Sequence, residues 1–111
     1  MAEDGDGLYK NRYAIPVLEV FQVVRQKTIT VGDTPTKLPT DRLTDRKSLL
    51  IENKSLSKTV FIGDSTVTAN NESTGGCRLL IAEKIQFNLN NVDIYGIVAS
   101  GTAPVTVLEF G

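Results

Sequence analysis

The sequence predicts an all-β fold: an antiparallel β-sandwich or jelly roll of about eight short strands with an extended N-terminal arm. Three observations carry that prediction. Short runs rich in Val, Ile, Leu and Thr recur roughly every ten residues, with Gly, Asn, Asp and Ser clustered between them. Several runs alternate apolar and polar residues with the period of two that a half-buried strand requires. After residue 26, no stretch keeps an apolar stripe at helical spacing over the length of a helix.

At 111 residues the chain suits one domain. It divides by pattern into an arm or extended segment, residues 1–24, and a sandwich, residues 25–111. Residues 1–12 are polar and glycine-containing and read as an arm that orders against a partner. Residues 13–24, YAIPVLEVFQVV, admit two readings. Val17, Val20, Phe21 and Val24 fit helical spacing behind Pro16, whereas four valines in eight residues favour a strand. An extended segment is the preferred reading.

In KTITV, Ile29 and Val31 share one face, and Gly32-Asp33 ends the run. TPTKLPTDRL carries Pro35 and Pro39 and reads as a long connection outside any sheet. Ser48–Glu52 is the next strand. Thr59–Ile62 follows, with Val60 and Ile62 facing one way and Phe61 the other. Thr66–Ala69 reads as a short strand, 70–76 (NNESTGG) as a loop, and Arg78–Ile81 as a short apolar strand. Lys84–Leu89 alternates most cleanly, with Ile85, Phe87 and Leu89 inward. VDIYGIVA and APVTVLEF complete the set, and Pro104 suggests an edge position for the last strand.

Charge and composition narrow the chemistry. Twelve Lys and Arg against 13 Asp and Glu leave a net charge of −1, without the concentrated basic face that nucleic acid or an anionic membrane demands. One cysteine, Cys77, allows no intrachain disulfide, and the lack of histidine excludes a Cys/His zinc site. MAEDGDG lacks the features of a signal peptide, and no apolar run approaches the roughly 20 residues of a membrane-spanning helix. The expectation is a soluble chain made in a reducing cytoplasm, needing no metal or other cofactor.

The stretch VFIGDST, residues 60–66, resembles the first block of GDSL-type esterases. That chemistry needs a base to take the serine proton, commonly histidine, and a helix after the turn. The chain has no histidine, and the β-branched Thr66-Val67-Thr68 follows Ser65. Gly63-Asp64-Ser65 therefore reads as a turn, with the same chemistry as Gly32-Asp33-Thr34. No catalytic residue is assigned. Asp64, Glu72 and Asp93 could meet around Ca²⁺, but no loop of the calcium-binding pattern contains them. Asp41, Asp45 and Glu52 near Arg42, Arg46 and Lys47 read as a solvated or partner-facing charged surface.

Several strands are apolar on both sides. Val92, Ile94 and Val98 share one face and Tyr95, Ile97 and Ala99 the other, while Val105 and Val107 oppose Leu108 and Phe110. A two-layer sandwich requires one apolar face per strand. The surplus can be covered by chain ends or by another subunit.

The runs RKSLLIENKSLSKTVFIGDSTVTANN, GCRLLIAEKIQFNL and VDIYGIVASGTAPVTVLEF carry a resemblance over about residues 27–110. Arg46, Leu49, Ile51 and Asn53, then Val60, Ile62, Gly63, Ser65, Val67 and Thr68, then Gly76, Leu79 and Glu83, then Ile94, Tyr95 and Ile97, and Gly101, Thr102, Ala103, Val105, Val107, Leu108 and Glu109 match a small β-sandwich module of tailed-phage virion proteins. Ile81-Ala82 departs from that module's usual Pro-Gly. In size and arm the chain resembles the jelly-roll decoration (cement or staple) proteins of short-tailed double-stranded DNA phages of the epsilon15 type.

The resemblance implies a non-enzymatic, structural virion protein on the outer capsid surface, assembled in the bacterial host cytoplasm. Its implied partners are the major capsid protein of an HK97-fold shell and a second copy of itself, in a homodimer or a trimer, with neither nucleic acid nor membrane. The residues assigned to partner contacts are Tyr9, Arg12 and Tyr13 in the arm, Arg42, Asp45, Arg46 and Lys47 in the charged group, and Tyr95 and Phe110 on strands. The alternative reading is a fibre, tail or neck module that binds a host receptor or glycan.

Overall fold

A computed structural model describes residues 21–111. The segment 13–20, read above as extended, and the arm before it lie outside the described residues. Eight strands follow: β1 (Val24–Val31), β2 (Thr36–Leu38), β3 (Ser48–Asn53), β4 (Val60–Gly63), β5 (Cys77–Leu79), β6 (Lys84–Phe87), β7 (Ile94–Ile97) and β8 (Ala103–Phe110). They form two four-stranded antiparallel sheets, ordered β1-β8-β3-β6 and β2-β7-β4-β5. The first strand pairs with the eighth, the second with the seventh, the third with the sixth and the fourth with the fifth. The chain is thus one long hairpin with its apex between β4 and β5. The added pairings β3-β8 and β4-β7 roll it into two layers. That is the jelly-roll form of the β-sandwich.

The core lies between the layers. Val31, Leu49, Ile51, Ala103, Val105 and Val107 point in from the first sheet, and Leu38, Val60, Ile62 and Leu79 from the second. Alternation along each strand selects them, since successive side chains leave opposite faces. β6 behaves as its pattern predicts: Ile85 and Phe87 are half-buried against the core, and Lys84 and Gln86 are exposed. Phe61 lies between two core residues and therefore faces outward. There it joins Ile97 and Val67 in a second apolar cluster, flanked by Tyr95 and Ala69. The surplus apolar face of the second sheet is covered from within the chain, by the β4–β5 connection that carries Val67.

Four expectations are corrected. Thr36–Leu38, placed in a connection, forms β2 against β7. It is a three-residue edge strand, and Pro35 and Pro39 flank it without interrupting the ladder. Thr66–Ala69 is no strand; only Thr68 bridges, to Gly75. The apolar run 78–81 ends its strand at Leu79, and Leu80 and Ile81 stand exposed in the turn to β6. Pro104 does not mark an edge, because β8 lies between β1 and β3. Pro104 pairs with Thr30 and sits just past the β3 register, where its carbonyl accepts the Lys54 N–H at 3.0 Å. The ladder has ended there, so the missing N–H is tolerated.

One buried polar side chain fixes the two neighbouring turns at the β3 end. Asn53 donates to the Lys58 carbonyl at 2.8 Å and the Leu79 carbonyl at 2.9 Å, and its oxygen accepts the Ser55 N–H at 2.9 Å. Its backbone meets the next turn, donating to Glu83 O and accepting from Ala82 N. In that turn, Leu80–Glu83, Ala82 has φ 64°, in the left-handed region where glycine is at ease. The Glu83 N–H bonds to the Leu80 carbonyl at 3.0 Å, so the turn closes despite Ile81-Ala82 standing where the resemblance has Pro-Gly.

Candidate functional site

Glu109 shares a face with Val105 and Val107, so strand alternation carries its carboxylate inward; it is 1% exposed. One oxygen, Oε2, accepts from Arg46 Nη1 at 2.8 Å and from the Leu43 N–H at 3.0 Å. The other, Oε1, accepts from Arg25 Nη2 at 2.6 Å and Nε at 3.0 Å. Arg46 is fully buried and also donates to the carbonyls of Leu89 and Val92. Arg25, on the inward face of β1, donates as well to the Asp41 carbonyl. One carboxylate and two guanidiniums thereby join β1, β8 and the connections 39–47 and 88–93.

Burial pushes the Glu109 carboxyl upward. The Leu43 N–H, Arg46 and Arg25 outweigh it, and the group rests below its ordinary range. A buried pair of this kind contributes little over an apolar substitute, but loss of one member strands the other's charge.

This geometry corrects the surface assignment of Arg46, which lies in the interior. Arg42 is only partly exposed: it pairs with Asp93 and fastens the same two connections together. Asp45 and Lys47 are exposed, and Asp45 occupies a left-handed turn position at φ 55°. Tyr95 is half-buried beside the second apolar cluster. Phe110 is half-buried on the outer face of the first sheet, where Phe21 packs on it with ring centroids 5.2 Å apart. Tyr9, Arg12 and Tyr13 lie outside the described residues. The assigned residues do not converge on one patch, since Tyr95 belongs to one sheet and Phe110 to the other.

Reading the charges as one solvated group missed Arg25 and Glu109. A signal existed: both share strand parity with core residues, Arg25 with Ile29 and Val31, Glu109 with Val105 and Val107.

The apex of the long hairpin holds a cavity of about 290 Å³. It is lined by Ile62 and Val67, both buried, and by the exposed Asp64, Thr66, Ser73 and Thr74. The sequence builds this apex through local bonds. Asp64 Oδ1 accepts from the Thr66 N–H at 2.8 Å and the Thr66 hydroxyl at 2.6 Å, the side-chain turn expected of Gly-Asp-Ser. Those two bonds, the hydroxyl first, hold the Asp64 carboxyl below its ordinary value. Thr68 N–H bonds to Thr74 O, and Gly76 N–H to Thr68 O. A Cβ on Gly76 would come within 2.5 Å of the Ile62 carbonyl, so only glycine permits this approach.

Ser65 is exposed in the turn and does not line the cavity; Thr66 and Val67 continue the turn where a hydrolase would start a helix. Cys77 is a free, exposed thiol at the cavity's edge. Among the described residues, no group of three or more His, Cys, Asp or Glu is arranged to hold a metal ion. No helix of the described residues is long and apolar enough to cross a membrane. No protein-family model matches the sequence, and no curated protein matches it.

Proposed function

We propose that the protein is a capsid decoration protein: a rigid jelly roll that binds the outside of a phage shell and clamps neighbouring major capsid subunits. The observation that carries this reading is an apolar patch at one end of the outer face of the first sheet, whose other outward positions, among them Gln26, Thr28, Thr106, Glu52 and Gln86, are polar. Val24, Leu108, Leu50 and Phe110 have the outward parity of their strands, and cross-strand register sets Val24 beside Phe110 and Leu108 beside Leu50. Val24 is 61% exposed, and Phe21 and Val23 extend the patch at 39% and 47%. Unlike the outer face of the second sheet, this one has no apolar cluster of buried residues over it among the described residues. Apolar sheet surface of this kind is suited to a partner, and a stable interface takes about 800 Å² from each side. The sequence resemblance over residues 27–110 supports the same reading.

The arm precedes this patch in the chain, and the proposal gives residues 1–12 to attachment. A subunit that binds the assembled shell and not its parts stabilises the shell by mass action. The test is co-sedimentation with purified mature capsids, using the full chain and a variant lacking residues 1–12. The full chain should saturate the shells, and the truncated chain should keep its fold but bind more weakly. Failure of the full chain to co-sediment would remove the proposal, and equal binding by both would remove the role given to the arm.

A further inference from the structure

The inward face of β1 changes character halfway along the strand. Ile29 packs against the core and Val31 lies within it, whereas Arg25 and Lys27, at the same parity, put two cations where core side chains would stand. Two carboxylates hold them. Glu109 Oε1 accepts from Arg25 at 2.6 and 3.0 Å, and Asp41 Oδ1 accepts from Lys27 Nζ at 2.6 Å, with Asp41 Oδ2 3.8 Å from Arg25 Nη1. Arg46, from the connection 39–47, is the third cation, bound to Glu109; Arg42 and Lys37 face Asp93 instead. β1 is an edge strand, laddered to β8 alone. Its first half therefore brings no core side chain of its own. It is held by the ladder, by outer-face contacts such as Phe21 on Phe110, and by the two carboxylates.

We infer that the first half of β1, residues 24–28, is an acid-released latch, which opens from β8 while the rest of the sandwich stays folded. Protonation takes the charge from both carboxyls. Arg25 and Lys27, two positions apart on one strand, then stand as like charges beside the buried Arg46, where water screens their repulsion poorly. Both carboxyls rest below their ordinary values. The contacts therefore persist at neutral pH and fail as pH falls through folded values that lie below 3.8 for Asp41 and 4.5 for Glu109. The second half of the strand does not share this sensitivity, because Ile29 and Val31 hold it by apolar burial. Segments with few buried apolar contacts are the ones that open locally. Opening carries the exposed Phe21, Val23 and Val24 away from Phe110, so acid alters this patch whatever the patch binds.

The test is amide hydrogen exchange on the isotope-labelled full chain, read by NMR as protection factors at about pH 6 and about pH 3. The amides to compare are those of Arg25 and Lys27 against those of Ile29 and Val31, which alternate in register with the bonded Val23–Gly111 pair and so face β8. On acidification, protection at Arg25 and Lys27 should fall at least about tenfold further than at Ile29 and Val31. Asp41→Ala, a change at an exposed side chain, should lower protection at the first pair near neutral pH and leave the second pair unchanged. Lys27→Ile sets an apolar side chain on the inward face and should shrink the acid effect. An equal loss at all four amides would overturn the inference. So would protection at Arg25 and Lys27 that acid and Asp41→Ala both leave unchanged.

Discussion

Arg46 and Glu109 meet at 2.8 Å in a part of the molecule that water does not reach, 63 residues apart in the chain. Between them they hold the connections on either side of the sandwich end, because Arg46 also grips the Leu89 and Val92 carbonyls and Glu109 also grips Arg25.

Glu109→Gln leaves Arg46 buried with an uncompensated charge. It should lower unfolding free energy by about 3–5 kcal/mol, measured by urea denaturation. Adding Arg46→Met should restore part of the loss, because the stranded charge is then gone. A double variant as weak as the single one would contradict the stranded-charge explanation.

Acid should destabilise the protein through the same carboxylate. Glu109 titrates in the folded chain below its ordinary value of 4.5, so between the two values the unfolded state binds more protons. The contribution is therefore complete above pH 4.5 and fades as pH falls through the folded value. Asp41, lowered by its Lys27 hydrogen bond, and Asp64 act in the same direction. Urea midpoints should fall less steeply below pH 4.5 in Glu109→Gln than in the parent chain.

Ala82 carries a side chain at φ 64°, where the left-handed conformation costs an L-residue about 1–2 kcal/mol and glycine almost nothing. Ala82→Gly should raise stability by roughly 0.5–1 kcal/mol after the entropy of the more flexible unfolded chain is counted. Thermal denaturation would show it as a Tm higher by a few degrees.

Asn53 satisfies two carbonyls and one N–H within a dry site. Asn53→Leu removes all three bonds and should cost about 3 kcal/mol or more. Amide exchange should then quicken first in the turns 54–59 and 80–83, which Asn53 joins.

Much of the fold was legible in particular residues. The alternation of Ile85 and Phe87 with Lys84 and Gln86 named an inward face correctly, and Phe61 lies, as its place between Val60 and Ile62 predicts, on the opposite face from them. Composition misled where tertiary context decided. Pro35 and Pro39 hid β2 because proline forbids central strands but tolerates a short edge. Pro104 suggested an edge because the end of the β3 ladder is invisible in sequence. Arg46 read as surface because its partner Glu109 is remote in the chain, and charge patterning reports only near neighbours. The turn at Gly63-Asp64-Ser65 was readable from local chemistry. The cavity behind it was not, because residues 70–76 reach it only through the fold of the loop.

Counting copies on a purified virion tests the central proposal most directly. Quantitative mass spectrometry against the major capsid protein, with cryo-EM density to locate the sandwich, supplies the number and the place. Hundreds of copies, spread over the outer shell between capsomers, are expected of a decoration protein. A handful of copies confined to the neck, tail or fibres would contradict it.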